Sequence, residues 1–486
     1  MTPHRFLLIT TLAVASFAAA PPAFAHGHDG PPAATCAAPG GAHGCYATIQ
    51  AAIDAAQPGD TVAVFPGRYT ENLTIDKPLT LAGAGENAVV LIPAISSPNP
   101  CEGSSLCGGS ASSLILVRAS DVTVHDLTLD GDNPALTSGI VRDGADLDAR
   151  NGIIEDYYAN TPFQHLTVYR VTVRNIYLRG IYASATGGTF DFHDNRVDNV
   201  QGDYYSIAMF AFAASGVFRH NIVSRANDAI SANWSEGIQF LDNVITRSAS
   251  GIHTDNAGGP GDVVRGNRIA HGTPGSYGIF VFVPYTAVSV TRNTVEGVDV
   301  GLSAFGQAAP VSTTFADNVV RGRRAPGSVG LFLTTDQLGY GSASVSATLQ
   351  HNVISRFERG VVLESDPGNT LTLGATCNAI EGSSQAAVVA GGLAPEATIP
   401  GDPPAGSGTQ AVTFSQNDIR GGAVAVDNRG ADPVSAANNW WGCPGGPGAP
   451  GCGTLAGGVA STPWLAQPSA CVPPSGRARR DDHDRH

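Results

Sequence analysis

The feature that most restricts how this chain can fold is a pair of landmarks that keeps returning. An Asn stands ahead of an apolar position, and a small residue followed by Ile, Leu or Val comes after it. In one copy these are Asn243 and Gly251-Ile252. The Asn recurs at Asn175, Asn195, Asn221, Asn267, Asn293, Asn318, Asn352, Asn378 and Asn417, mostly at intervals of 20 to 26 residues. The second landmark keeps step as Gly180-Ile181, Ser206-Ile207, Ala229-Ile230, Gly278-Ile279, Gly301-Leu302, Gly330-Leu331 and Gly360-Val361. A period of this size marks a stacked repeat.

Within each unit, short runs of β-branched and apolar residues alternate with polar ones, which is the strand period. Gly, Asn and Ser break the runs and tolerate the positive φ of tight corners. One unit cannot bury its own apolar face, whereas stacked units bury a continuous column. About three short strands fit a unit, so each unit reads as one coil of a right-handed parallel β-helix, an all-β solenoid. Coils stack about 4.8 Å apart. An Asn at the same corner of every coil can then bond the Asn above and below, which is a structural role. Leucine-rich and helical repeats do not fit, for want of dense Leu and of helix-forming stretches.

Met1 to Ala25 reads as a secretory signal peptide, with the apolar run Phe6 to Ala20 and the small-x-small end Ala23-Phe24-Ala25. Its one charge is Arg5, so cleavage takes the formal charge from −14 to −15. The expected product is a secreted or periplasmic protein without a membrane span, and a monomer. Residues 26–471 form the β-helix domain with its caps, and 472–486 a disordered tail. The acidic balance argues against nucleic acid as a partner. Eight Cys in an exported chain read as disulfides. Proximity pairs Cys36 with Cys45, Cys101 with Cys107 and Cys443 with Cys452, leaving Cys377 for Cys471.

Thr48 to Ala56 reads as an amphipathic helix lying across the open end of the column, with Ile49, Ala52, Ile53 and Ala56 on one face. The stretch Ala47 to Gly85, ATIQAAIDAAQPGDTVAVFPGRYTENLTIDKPLTLAGAG, resembles the opening of pectin-lyase-like β-helix proteins. It is closest to pectin methylesterases and bacterial right-handed β-helix repeat proteins. Asn438-Asn439-Trp440-Trp441-Gly442 with Gly446-Pro447 resembles a closing motif of those bacterial proteins, whose relatives include periplasmic maturation proteins of nitrous oxide reductase. The resemblance implies the fold. It does not imply a chemistry, because the catalytic motifs of pectin methylesterases, polygalacturonases and pectate lyases are missing. Asn227-Asp228 is reminiscent of a polygalacturonase Asp-Asp strand, but the partner His and Arg-x-Lys motifs are absent.

Register supplies a candidate site instead. With coils aligned on the inward Ile, one outward column reads Ile154, Tyr182, Ala208, Ser231, His253, Phe280, Ser303, Phe332, Val362. The next reads Asp156, Ser184, Phe210, Asn233, Asp255, Phe282, Phe305, Thr334, Glu364. Aromatic rings thus flank a polar middle of Ser231, Asn233, His253 and Asp255, with Trp234 and Glu236 just beyond. Rings stack on sugar C–H faces while amides and carboxylates bond hydroxyls, so this face suits a polysaccharide.

His253 and Asp255 project to one side, where a carboxylate can orient the imidazole for proton transfer. In a β-elimination His253 is the base and Tyr182 the acid, with Asn233 or Arg179 neutralising a uronate. In a hydrolysis Asp228, Asp255 and Glu236 are the carboxylates to pair. The stretch Asp130 to Gln164 can alternatively fold over this face and bury it. Its oxygens at Asp130, Asp132, Asn133, Asp143, Asp146 and Asp148 can hold Ca²⁺, although solvated turn aspartates are the commoner outcome; no other cofactor is expected. The reading is an exported β-helix that binds polysaccharide and, as a lyase or hydrolase, cleaves it. Against it stand a non-catalytic adhesion or scaffold protein and a periplasmic accessory of metalloenzyme assembly.

Overall fold

The computed structural model describes residues 35–159, 161–184, 187–392 and 408–474. The segment read as a signal peptide and most of the 472–486 stretch expected to be a tail lie outside the described residues. From Cys36 onward the chain winds into three-stranded coils, each strand pairing in parallel with its equivalent one coil on. The fold is an all-β, right-handed parallel β-helix.

Three long sheets result. The first, called here the site sheet, includes Ala149–Glu155, Ile207–Phe212, Asp228–Glu236, Ser250–Gly258, Tyr277–Val281 and Val300–Ala304. The second contains Thr189–His193, Ser215–Arg219 and Gln239–Leu241, whose inward Phe192, Phe218 and Phe240 are fully buried. The third contains Arg196–Val200, Ile222–Ala226 and Val244–Thr246. Inward Ile, Val, Leu and Phe from all three form one continuous core.

The corner between the second and third sheets carries the Asn ladder. Asn195, Asn221, Asn243, Asn267, Asn293, Asn318, Asn352, Asn378 and Asn417 each donate from Nδ2 to Oδ1 of the next, at 2.9 to 3.1 Å, and Asn439 ends the series. Each rung after Asn195 also takes the backbone N–H of the preceding Asn, Asn195 taking that of Val171, and each gives its second amide hydrogen to a carbonyl, as Asn293 does to Val264 at 2.9 Å. All ten are buried, so the ladder satisfies groups that water cannot reach. Asn439 of the closing motif is therefore the last rung.

Two sequence expectations need correction. Asn175 is not a rung: it sits at the next corner with φ 58° and bonds Asp130 and Asn199. The coil at Ser206-Ile207 is also displaced. Ser206 Oγ donates to the Tyr177 carbonyl at 2.7 Å, which pins it in the preceding turn, so Met209 and not Ile207 pairs with the inward Ile181 and Ile230. Ala208 then takes the small-residue position, and Phe210 moves into the column of Tyr182 and Ser231. The small residue is needed because the next coil passes close: a Cβ on Gly251 would lie 2.3 Å from the Gly278 carbonyl oxygen.

The ends are closed. The helix Ile49–Ala55 buries Ile49, Ala52 and Ile53, with Thr48 Oγ1 accepting from Ala51 N–H and Glu71 accepting from the amides of Ile49 and Gln50. At the far end Trp441 is fully buried. The eight cysteines form Cys36–Cys45, Cys101–Cys107, Cys377–Cys471 and Cys443–Cys452. Cys377–Cys471 ties the tail to a late coil, where Ser469 N–H also donates to Asp418 at 2.9 Å.

Candidate functional site

Register sets three side-chain columns on the outer surface of the site sheet. The first runs Ile154, Tyr182, Phe210, Ser231, His253, Phe280, Ser303 and Phe332. A second, three residues earlier on each strand, runs Asn151, Arg179, Ile207, Asp228, Ser250 and Tyr277. Sequence alignment on the Ile alone overlooked this column, because the small residue between the two bends the strand and puts both side chains outside. The third carries Ser184, Phe212 and Asn233. Phe212 was overlooked for the same displaced register.

At the lower end lies a cleft of about 750 Å³. Its floor is Tyr182 stacked on Phe210, with centroids 4.7 Å apart. Tyr157 and Tyr158 are joined to Ser104 through hydroxyl hydrogen bonds of 2.8 and 2.9 Å, Tyr157 and Leu106 pack on the buried Tyr182 and Phe210, and Ser105 and Phe212 also line the cleft. Asp130 to Gln164 does not cover the face as one lid. Ala149–Glu155 is itself a strand, Ile140, Ala145 and Leu147 pack on Tyr177 and Leu178, and Tyr157, Tyr158, Thr161 and Pro162 reach the cleft. The Ser104 wall belongs to the Cys101–Cys107 loop. Arg150, which is buried, holds that loop from beneath by donating to the carbonyls of Pro98, Ser104 and Ser105 at 2.7, 2.7 and 3.1 Å. No sequence signal marks Arg150, since its acceptors lie some fifty positions away and are main-chain carbonyls apart from Asn99 Oδ1 at 3.4 Å.

Arg179 sits in the cleft wall with its guanidinium 4.8 Å from the Phe210 centroid and 5.9 Å from that of Tyr182. It donates to Ser105 Oγ at 3.1 Å and to the Tyr205 carbonyl, and no carboxylate lies within ion-pair reach of it among the described residues. Burial lowers its pKa to about 10, so it remains charged at neutral pH. Burial also raises the Tyr182 phenol to about 12, which keeps it neutral. The guanidinium is half-buried against these rings, and Asp203 and Asp228 act on it only beyond ion-pair distance.

One coil beyond Phe210 the surface turns polar. His253 Nδ1 lies 3.2 Å from Ser231 Oγ and 3.8 Å from Asp228 Oδ2. Ser231 in turn donates to Asn233 Oδ1 at 2.9 Å. The expected His253–Asp255 pairing is not formed. Asp255 accepts from the Trp234 amide at 2.8 Å, because Asn233-Trp234 bulge out of register with the next strand. Burial raises the Asp255 pKa. The carboxylate next to the imidazole is Asp228. His253 Nε2 is buried without a hydrogen bond, with Phe280 4.7 Å from the ring. As placed, the ring is packed and offers no open nitrogen. Glu236 is exposed at the end of its strand.

Further along, Phe280, Phe282, Phe305 and Phe332 form an aromatic cluster with Phe305 and Phe332 buried. Trp234, Tyr285 and Tyr340 remain exposed at its edge. The predicted residues thus fall in three sets: Arg179, Tyr182 and Phe210 in the cleft; Asp228, Ser231, Asn233, His253 and Asp255 in the polar patch; Phe280, Phe282 and Phe305 above it. Their order along the stack is aromatic, polar, aromatic.

Four of the five aspartates considered for Ca²⁺ have other partners, and the fifth, Asp132, has its pKa raised by burial and by the neighbouring Asp130, Asp148 and Asp146. Asp130 pairs with Arg174, Asp143 with Arg225 and Asp146 with Ser138, and Asp148 accepts from the Asn133 amide. Among the described residues no group of three or more His, Cys, Asp or Glu is arranged to hold a metal. No helix there is long and apolar enough to cross a membrane.

Residues 151–320 match the family model described as right handed beta helix region. Among curated proteins none matches the sequence. Solved structures of similar outline include the A-module of a mannuronan C-5 epimerase from Azotobacter vinelandii, with 16% identity, 85% of this chain and 94% of that one covered, and a TM-score of 0.47. Another is a polygalacturonase from Erwinia carotovora ssp. carotovora, at 12% identity, 68% and 95% coverage and a TM-score of 0.46. A third is an alginate lyase from Paenibacillus sp., at 14% identity, 57% and 93% coverage and a TM-score of 0.42.

Proposed function

We propose that this chain, a pectin-lyase-like right-handed parallel β-helix protein, binds an acidic polysaccharide across the coils of its site sheet. The observation that carries the reading is Arg179: a charged guanidinium without a carboxylate partner, stacked on Phe210 in a cleft walled by tyrosines. A sugar ring lies on Tyr182 and Phe210, its carboxylate meets Arg179, and hydroxyls reach Ser104, Ser105 and Ser184. The glycan continues over Ser231, Asn233 and Asp228 towards the upper aromatic cluster. Four disulfides fit action in an oxidising compartment outside the cytosol.

Cleavage is a second reading, supported by the proximity of Asp228, His253 and Asp255 in the path of the chain. It requires the His253 ring to turn so that Nε2 is uncovered.

Calorimetric titration with uronic and neutral polysaccharides tests the binding reading, with parallel assays for unsaturated products and reducing ends. Binding of a uronic polymer that is lost in Phe210→Ala supports it. Absence of binding to every polymer overturns it. Turnover that vanishes in both Asp228→Asn and His253→Ala supports cleavage; no turnover with intact binding leaves a binding protein.

A further inference from the structure

A second charged feature lies on the third sheet, roughly 30 Å along the stack from Arg179 at about 4.8 Å per coil. Arg321, Arg324, Arg356 and Arg420 surround a surface depression of about 530 Å³ together with Ser355 and Glu381. These arginines come from three of four successive coils, the remaining one supplying Glu381. Arg321 pairs in register with Ser355, Ser355 with Glu381, and Glu381 with Arg420. At the adjoining corner the Arg324 amide donates to the Arg356 carbonyl at 2.8 Å, which fixes those two residues one coil apart.

Their charges are under-compensated. Glu296 is shared by Arg321 at 3.1 Å and by Arg268 at 3.3 Å, and Glu381 is taken by Arg420 at 2.9 Å. Arg324 donates from Nε to the Gly382 carbonyl at 3.1 Å, and among the described residues the Arg356 guanidinium has no hydrogen bond or ion pair, its main chain alone being bonded. Nearby Glu358 and Asp299 are held by Arg359 and Arg323. With Asp418, whose carboxyl also feels the Arg420 charge, three carboxylates therefore face five guanidiniums, in a chain of formal charge −14. Gly382, with φ 64°, lies beside the Arg324 fork, where a Cβ would be in ordinary contact with Nη2 at 3.4 Å. Arg420 Nε is buried without a partner.

We propose that this corner binds a sulfate or phosphate ester group. A tetrahedral oxyanion carries up to two charges and three acceptor oxygens. It can therefore engage the forks of Arg324 and Arg356 from adjacent coils at once, with the Arg321 and Arg420 charges behind them. A single carboxylate matches one fork and leaves the other uncompensated. The site is separate from the aromatic cleft and does not depend on what the cleft binds.

The test is calorimetric titration of the full chain with sodium sulfate, sodium phosphate, dextran sulfate and uncharged dextran, at ionic strength matched with chloride. Saturable binding in at least one anion arm is expected, with none for dextran. Measured in an Arg179→Met background, which removes the cleft's cation, it should weaken at least tenfold in Arg324→Ala/Arg356→Ala and less in Arg324→Lys/Arg356→Lys. Binding of the free anions places the site's ligand among small ions; binding of dextran sulfate alone places the ester on a chain. No saturable binding in any anion arm overturns the proposal. So does binding that survives the double alanine change in a protein whose circular dichroism matches the wild type.

Discussion

Replacing Arg150 by Met should detach the wall of the cleft while leaving the coils intact. Arg150 is one of the largest fully buried side chains, and it has no carboxylate partner; its charge is met by loop carbonyls and by Tyr177, 5.5 Å beneath it. Burial accordingly lowers its pKa. Hydrogen bonds to a charged group contribute about 1.5–3 kcal/mol each, so three short ones set a ceiling of about 5–9 kcal/mol. The cost of desolvating the guanidinium offsets part of that, and losing one partner of a buried charged set typically costs about 3–5 kcal/mol. At about 1.4 kcal/mol per decade, the docked loop should lose population by roughly 10² to 10³-fold relative to the open one. The carbonyls of Pro98, Ser104 and Ser105 then find water by swinging outward, and Cys101–Cys107 keeps the loop a compact unit as it does so. Hydrogen–deuterium exchange read by mass spectrometry should show residues 97–109 losing protection while the Asn ladder keeps it. Affinity for an acidic glycan should fall at least tenfold. Unchanged protection of 97–109 together with unchanged affinity would refute the reasoning.

Arg179→Met should cost at least tenfold in affinity for a uronic polymer and little for a neutral one; equal losses for both would assign Arg179 a packing role only. Glu155 is buried, with Oε2 accepting from the Ser184 amide at 2.6 Å and its pKa raised by burial to about 8. Between its ordinary value and about 8 the folded state holds a proton that the unfolded state has released, so stability falls as pH rises through that window and levels off above it. Urea melts of the wild type should weaken between pH 5 and 8.5, by up to a few kcal/mol in order of magnitude, and Glu155→Gln should remove that part of the slope; identical slopes would contradict this. Asn293→Ala removes bonds to Val264, Asn318 and Asn267 in the middle of the ladder. It should destabilise by about 2–5 kcal/mol, and a loss below about 0.5 kcal/mol in urea melts would mean the coils close without it.

The architecture was legible because repetition multiplies a weak signal. One Asn before an apolar residue says nothing, but ten in step admit few folds, and the small residue before Ile252 marks where the next coil must pass close. The terminal helix, inferred from Ile49, Ala52 and Ile53, rests on the same kind of local periodicity. Register failed where the period was interrupted, at Ser206, whose hydroxyl bonds the preceding turn and moves Phe210 by one position in the pattern.

The aromatic face was likewise visible as side chains of like direction on successive coils, which is a property of strand alternation and therefore of sequence. What covers that face, and which polar groups meet on it, belongs to tertiary structure. Asp228 and not Asp255 lies beside His253 because a bulge at Asn233-Trp234 breaks the ladder, and bulges leave no reliable mark in sequence. Arg150 and the Ser104 wall come together through main-chain carbonyls, whose positions depend on the loop's path and not on residue identity. Periodic contacts between coils are encoded residue by residue; contacts made by excursions from the coil exist only once the chain has closed around them.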